Sequence, residues 1–176
     1  MIKQEHELKT LILAEDFHLL KKFLSVFMVR TDLQTNYYYD TREEIMRMAN
    51  TTIRVRQKGN RLNGTIKRHL ADGCSIEEHF HVDMLPRVMM IDSIPVWLKG
   101  SLTTERTIYK FCDGIEMMLD LNKYLGVVDY ELEIEFREDL RKQAEWLLSS
   151  IKTLLQNDVK DTVACKSERF FQRLKE

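Results

Sequence analysis

Polar and apolar residues alternate strictly along much of this chain. In Glu5-His6-Glu7-Leu8-Lys9 a strand would put Glu5, Glu7 and Lys9 on one face and His6 and Leu8 on the other. The period returns where Arg54 and Arg56 flank Val55, and where Glu131, Glu133 and Glu135 flank Leu132 and Ile134. The pattern predicts a first strand over residues 3–12 and an extended stretch over 28–39, in which Gln34, Asn36 and Tyr38 share a face. It predicts a hairpin of 52–58 with 61–68, turned at Gly59-Asn60, and a strand over 75–82. A second hairpin, 101–111 with 115–124, turns at Asp113-Gly114, and the last strand runs over 127–136.

The helical period takes over in two long stretches. Phe17, Leu20, Leu24 and Phe27 make a stripe over 14–27, and Leu140, Ala144, Leu147, Leu148, Ile151 and Leu155 make one over 138–155. A short helix is predicted over 41–48, capped by Thr41 with Glu44 three residues on. A loop then leads to a final turn of helix over 167–174. Residues 83–99 follow neither period and read as a short apolar helix or turn around Val88-Met89-Met90.

Eight strands and few helices give an antiparallel α+β protein. Strands with one polar and one apolar face either turn the polar face to water or close into a barrel with that face inside. The barrel gives the amphipathic helices an apolar outer wall on which to bury their stripes.

At 176 residues one domain, spanning 1–176, is the expectation. A formal net charge of −1 argues against a general nucleic-acid binder, so any anion site must come from locally clustered bases. Cys74, Cys112 and Cys165 have no paired spacing, which disfavours a disulfide framework and a zinc site and suits a reducing compartment. The first residues carry no apolar run, and no stretch approaches transmembrane length. The expected setting is the cytoplasm, with no membrane partner.

The charged faces hold both signs. Lys9, Arg54, Arg56, Lys67 and Arg106 are bases; Glu5, Glu7, Asp120, Glu131 and Glu133 are acids, and each set is drawn from several strands. Arginine forks match phosphate oxygens, and hard divalent metals bridge phosphate to carboxylate. Glu5-x-Glu7-x-Lys9 alone is an ordinary solvated face. The combination suits a metal-bound polyanion.

These residues resemble the CYTH domains, the triphosphate tunnel metalloenzymes. The resemblance runs in order through Glu5-His6-Glu7-Leu8-Lys9, Asn36-Tyr37-Tyr38-Tyr39-Asp40-Thr41, Thr52-Ile53-Arg54-Val55-Arg56, Thr65-Ile66-Lys67 and Thr104-Glu105-Arg106. It continues in Leu119-Asp120, Tyr124-Leu125-Gly126, Asp129-Tyr130-Glu131-Leu132-Glu133-Ile134-Glu135 and Lys166-Ser167-Glu168-Arg169-Phe170. The wording is most similar to small single-domain members from Gram-positive bacteria. It implies an eight-stranded antiparallel barrel whose charged tunnel holds a small-molecule triphosphate, with magnesium or manganese as cofactor and two ions expected. By position, Glu5, Glu7, Glu131 and Glu133 would hold metal, and Lys9, Arg54, Arg56, Lys67, Arg106 and Lys166 would hold phosphate. Asp120 is a further metal candidate, with an arginine partner as its alternative role. Glu5, Glu7 and Glu133 are the residues on which turnover would depend. The leading expectation is a metal-dependent triphosphate hydrolase. The alternatives are a class IV adenylyl cyclase and a non-catalytic polyphosphate or nucleotide binder. A homodimer stays open, as does the face of Glu77, Glu78 and His79 that meets the tunnel.

Overall fold

The computed structural model describes every residue except 1, 72 and 156–163. The predicted loop before the last helix lies mostly outside the described residues. The strands are β1 (Ile2–Ile12), β2 (Met28–Asp40), β3 (Thr51–Lys58), β4 (Arg61–His69), β5 (Cys74–His81), β6 (Val88–Ile91), β7 (Ile94–Cys112), β8 (Ile115–Tyr124) and β9 (Val127–Phe136). The helices are α1 (Ala14–Phe23), α2 (Ile45–Met48), α3 (Arg141–Leu155) and α4 (Lys166–Leu174).

The sheet runs β2-β3-β4-β5-β1-β9-β8-β7-β6, and pairing of β2 with β7 closes eight strands into an antiparallel barrel. Residues opposite each other in a pair share a face, so register traces the lining. Lys9 faces Glu133, Glu7 faces Glu135, and Asp120 faces both Glu131 and Arg106. Asn36 faces Arg56, Tyr38 faces Arg54, and Lys67 faces Glu77. The polar face is therefore inside.

The apolar outer faces are covered as amphipathicity demands. Phe17, Leu20 and Leu24 on one helical segment and Ala144, Ile151 and Leu155 on α3 bury against Tyr109, Met117, Leu119, Leu132, Ile134 and Phe136. On the other side Tyr39, Ile53, Val55 and Ile66 are buried with Val96, and Met89, Ile91 and Leu98 pack on them. The third cluster lies at one end of the barrel, where Phe170 and Phe171 of α4 meet Tyr38, Leu102 and Tyr124. Gly100 makes that approach possible, because a Cβ there would lie 2.7 Å from Phe170 Cζ.

Several expected elements differ. The helix over 14–27 stops at Phe23, and residues Ser25–Phe27 form a 3-10 turn that leads into β2. The helix or turn around Val88-Met89-Met90 is strand β6, paired with the start of β7 through Asp92-Ser93. Those two residues take left-handed φ of 47° and 66°, as a tight two-residue hairpin turn requires. Strand β7 consequently begins at Ile94 instead of residue 101. The helix over 41–48 shrinks to α2. Its free N–H groups are taken by the Asp40 carboxylate, which accepts from Met46 and Arg47, and by the Thr41 hydroxyl, which accepts from Ile45. Glu44 pairs with Arg47. The helix over 138–155 opens with a 3-10 turn at Glu138–Leu140.

Candidate active site in the barrel

The barrel encloses a cavity of about 290 Å³. Glu5, Glu7, Lys9, Arg54, Arg56, Lys67, Arg106, Glu131, Glu133 and Lys166 all line it. Of the residues singled out in the sequence, Asp120 alone is absent from the wall. It is fully buried behind Arg106, accepting from Nε at 2.8 Å and Nη2 at 2.6 Å. The arginine partnership is the role this geometry gives it.

Acids and bases interleave around most of the cavity. On one side Lys67 Nζ lies 2.5 Å from Glu5 and 3.4 Å from Glu7, and Lys9 Nζ lies 2.5 Å from Glu7. Burial would push the Lys67 ammonium down, but Glu7 and Glu5 hold it above its ordinary value. Arg106 reaches Glu133 at 2.9 Å, and Lys166 reaches Asp120, Glu131 and Glu133 at 3.0, 2.8 and 2.7 Å. Burial alone would raise the Glu133 carboxyl, yet Arg106 and Lys166 hold it well below its usual range. Glu135 has less help. Burial, with Glu133 and Glu5 beside it, pushes its carboxyl up to about 7.

The opposite wall is short of negative charge. Among the described residues Arg56 has no carboxylate within ion-pair distance; its Nε donates to Asn36 Oδ1 at 2.8 Å. Burial, then Arg54 and Arg106 nearby, lower its pKa to about 9. Arg54 donates through Nη2 to Glu77 at 3.1 Å, and its buried Nε has no protein partner. A buried guanidinium without a counter-charge is costly in an empty site and attracts an anion into it.

A CYTH domain model matches residues 3–164. The chain belongs to the CYTH family. A Bacillus subtilis relative described as "Putative triphosphatase YjbK" is 26% identical over 147 residues, covering 74% of this chain and 76% of that one. The crystal structure of a Bacillus halodurans protein described as a "putative adenylate cyclase" superposes with a TM-score of 0.78 at 25% identity, covering 97% of this chain and 98% of the other. HpAC1 from Hippeastrum, described as a "putative adenylyl cyclase" that "reveals a dominant" triphosphatase activity, has a TM-score of 0.77 at 21% identity over 96% of this chain and 95% of its own.

The donor chemistry of this CYTH cavity fits a hard divalent cation. Glu5, Glu7, Glu131 and Glu133 offer it hard carboxylate oxygens. Among the described residues, however, no three His, Cys, Asp or Glu side chains stand as a ready cage. Lys9, Lys67, Arg106 and Lys166 occupy the carboxylates instead.

Two residues outside the expected set belong to the site. Glu77 is buried and touches Arg54, Lys67 and, at 3.5 Å, His79. Its place opposite Lys67 in the register settles which face of the fifth strand points inward. Arg169, one turn after Lys166, pairs with Asp129 at 3.0 Å and with Glu131. The helical spacing of Lys166 and Arg169 was the available signal. No described helix is long and apolar enough to cross a membrane.

Proposed function

We propose that this CYTH protein is a metal-dependent hydrolase of small-molecule triphosphates. The observation that carries the reading is an arginine pair facing carboxylates across one cavity, with Arg54 sharing Glu77 with Lys67 and Arg56 having no ion-paired carboxylate among the described residues. A triphosphate carries about four negative charges at neutral pH, and arginine forks bind such oxygens bidentately. Arg54 and Arg56 take the phosphate chain, Arg56 with no ion-paired carboxylate to give up among the described residues. Lys9, Lys67 and Arg106 add charge from other strands around the cavity and stabilise what builds up on the leaving group.

Glu5, Glu7, Glu131 and Glu133 would hold magnesium or manganese, which when bound supplies charge neutralisation and a more acidic water. Glu7 and Glu133 orient the attacking water towards the terminal phosphorus. Asp120 and Glu77 fix Arg106 and Arg54 in place. No side-chain nucleophile is needed.

The description of the Bacillus halodurans relative as a "putative adenylate cyclase" favours a second reading, in which a ribose hydroxyl attacks the α-phosphate. Product identity separates the two. Purified protein is incubated with inorganic triphosphate, thiamine triphosphate or ATP, each with magnesium or manganese. Orthophosphate is the expected product. Cyclic AMP with pyrophosphate from ATP would replace the hydrolase by the cyclase, and binding without turnover would leave a binding module.

A further inference from the structure

Lys166 is the first residue of α4, and its ammonium sits among three carboxylates. Asp120, Glu131 and Glu133 lie 3.0, 2.8 and 2.7 Å from Nζ, and their side chains are 0%, 1% and 7% exposed. The ammonium donates hydrogen bonds to Glu131 and Glu133 and is ion-paired with Asp120. Hard oxygens of this kind are also what a divalent cation takes. Arg106 Nη2 and Lys166 Nζ already share Glu133 Oε2, at 2.9 and 2.7 Å, and Arg106 is also held bidentately by Asp120, so a divalent cation that takes this oxygen displaces Lys166 first.

We propose that Lys166 is a built-in counter-cation. Its ammonium and a divalent cation compete for the Glu131 and Glu133 carboxylates, so that cation binding releases Lys166 and loosens the first turn of α4. The rest of α4 has separate holds. Arg169 pairs with Asp129, Glu168 accepts from Arg47 at 2.7 Å, Ser167 and Thr52 share a 2.8 Å hydrogen bond, and Phe170 is fully buried. The helix therefore stays docked while its first residue changes partner. Lys166 already lines the cavity, so the released ammonium is placed to meet an anion there. The nature of that anion rests on the triphosphate reading; the competition is a property of the protein without it.

The test uses the full chain and no phosphate compound. Manganese is titrated calorimetrically into the unmodified protein, Lys166→Met and Lys166→Arg, and amide hydrogen exchange over residues 166–171 is followed with and without manganese. Lys166→Met is expected to bind manganese at least about tenfold more tightly than the unmodified chain. Lys166→Arg keeps the original affinity, and manganese raises exchange at the start of α4 in the unmodified chain. Equal or weaker binding by Lys166→Met would overturn the proposal, as would absence of binding in all three proteins. Should Lys166→Met fail to fold, the exchange measurement decides alone: unchanged exchange at 166–171 overturns it. Hydrolysis is not read here, so a protein that passes this test and turns over no triphosphate fails only the functional reading.

Discussion

Arg56 is held by Asn36 through one 2.8 Å hydrogen bond, and among the described residues no carboxylate balances it. Its partner Arg54 on the same strand face has Glu77. This asymmetry makes Arg56 the base most dependent on a bound anion. Arg56→Ala is expected to weaken binding of inorganic triphosphate by roughly 10–100-fold, the loss of a charge-assisted hydrogen-bond pair. Calorimetric titration checks it.

The Glu135 carboxyl sets a pH dependence. Its pKa is raised from 4.5 to about 7, so between those values the folded chain holds a proton that the unfolded chain releases. Stability from this group is present below about pH 4.5 and is lost as pH rises through about 7. Glu135→Gln is expected to stabilise the protein at pH 8 by roughly 1–3 kcal/mol and to do little at pH 4.5. Denaturant unfolding at the two pH values measures it.

Asp120 and Arg106 form a buried bidentate pair. Asp120→Ala leaves the guanidinium buried without its main partner and should cost about 3–5 kcal/mol. Replacing both residues, Asp120→Ala with Arg106→Met, should recover much of that loss by removing the stranded charge. Chemical denaturation of the unmodified protein and the two variants gives the comparison.

Gly100 admits the Phe170 ring at the end of the barrel. Gly100→Ala should destabilise the docking of α4 by about 1–3 kcal/mol through overpacking. Adding Phe170→Leu should relieve the clash, so that the double variant exchanges more slowly over α4 than Gly100→Ala alone.

How much of this was legible in the sequence follows from local chemistry. Glu5, Glu7 and Lys9 could be placed together because alternation fixes a shared face, and alternating charged faces recur on β3, where they are basic, and on β9, where they are acidic. Glu77 could not, because Glu77, Glu78 and His79 put polar groups on both faces; only its register against Lys67 decides. Strand β6 was hidden by the unbroken apolar run Val88–Ile91 and by a turn, Asp92-Ser93, without glycine. The part played by Asp120 depended on distance to Arg106, which spacing along the chain does not encode.

Arg54 and Arg56 hold the anion in this reading, and the carboxylates across the cavity drive turnover. Glu7→Gln tests this division most directly, by binding and hydrolysis of inorganic triphosphate side by side in the presence of manganese. Binding should stay within a few-fold of the unmodified protein while turnover falls by about 100-fold or more. A Glu7→Gln protein that hydrolyses triphosphate at the full rate would contradict the account.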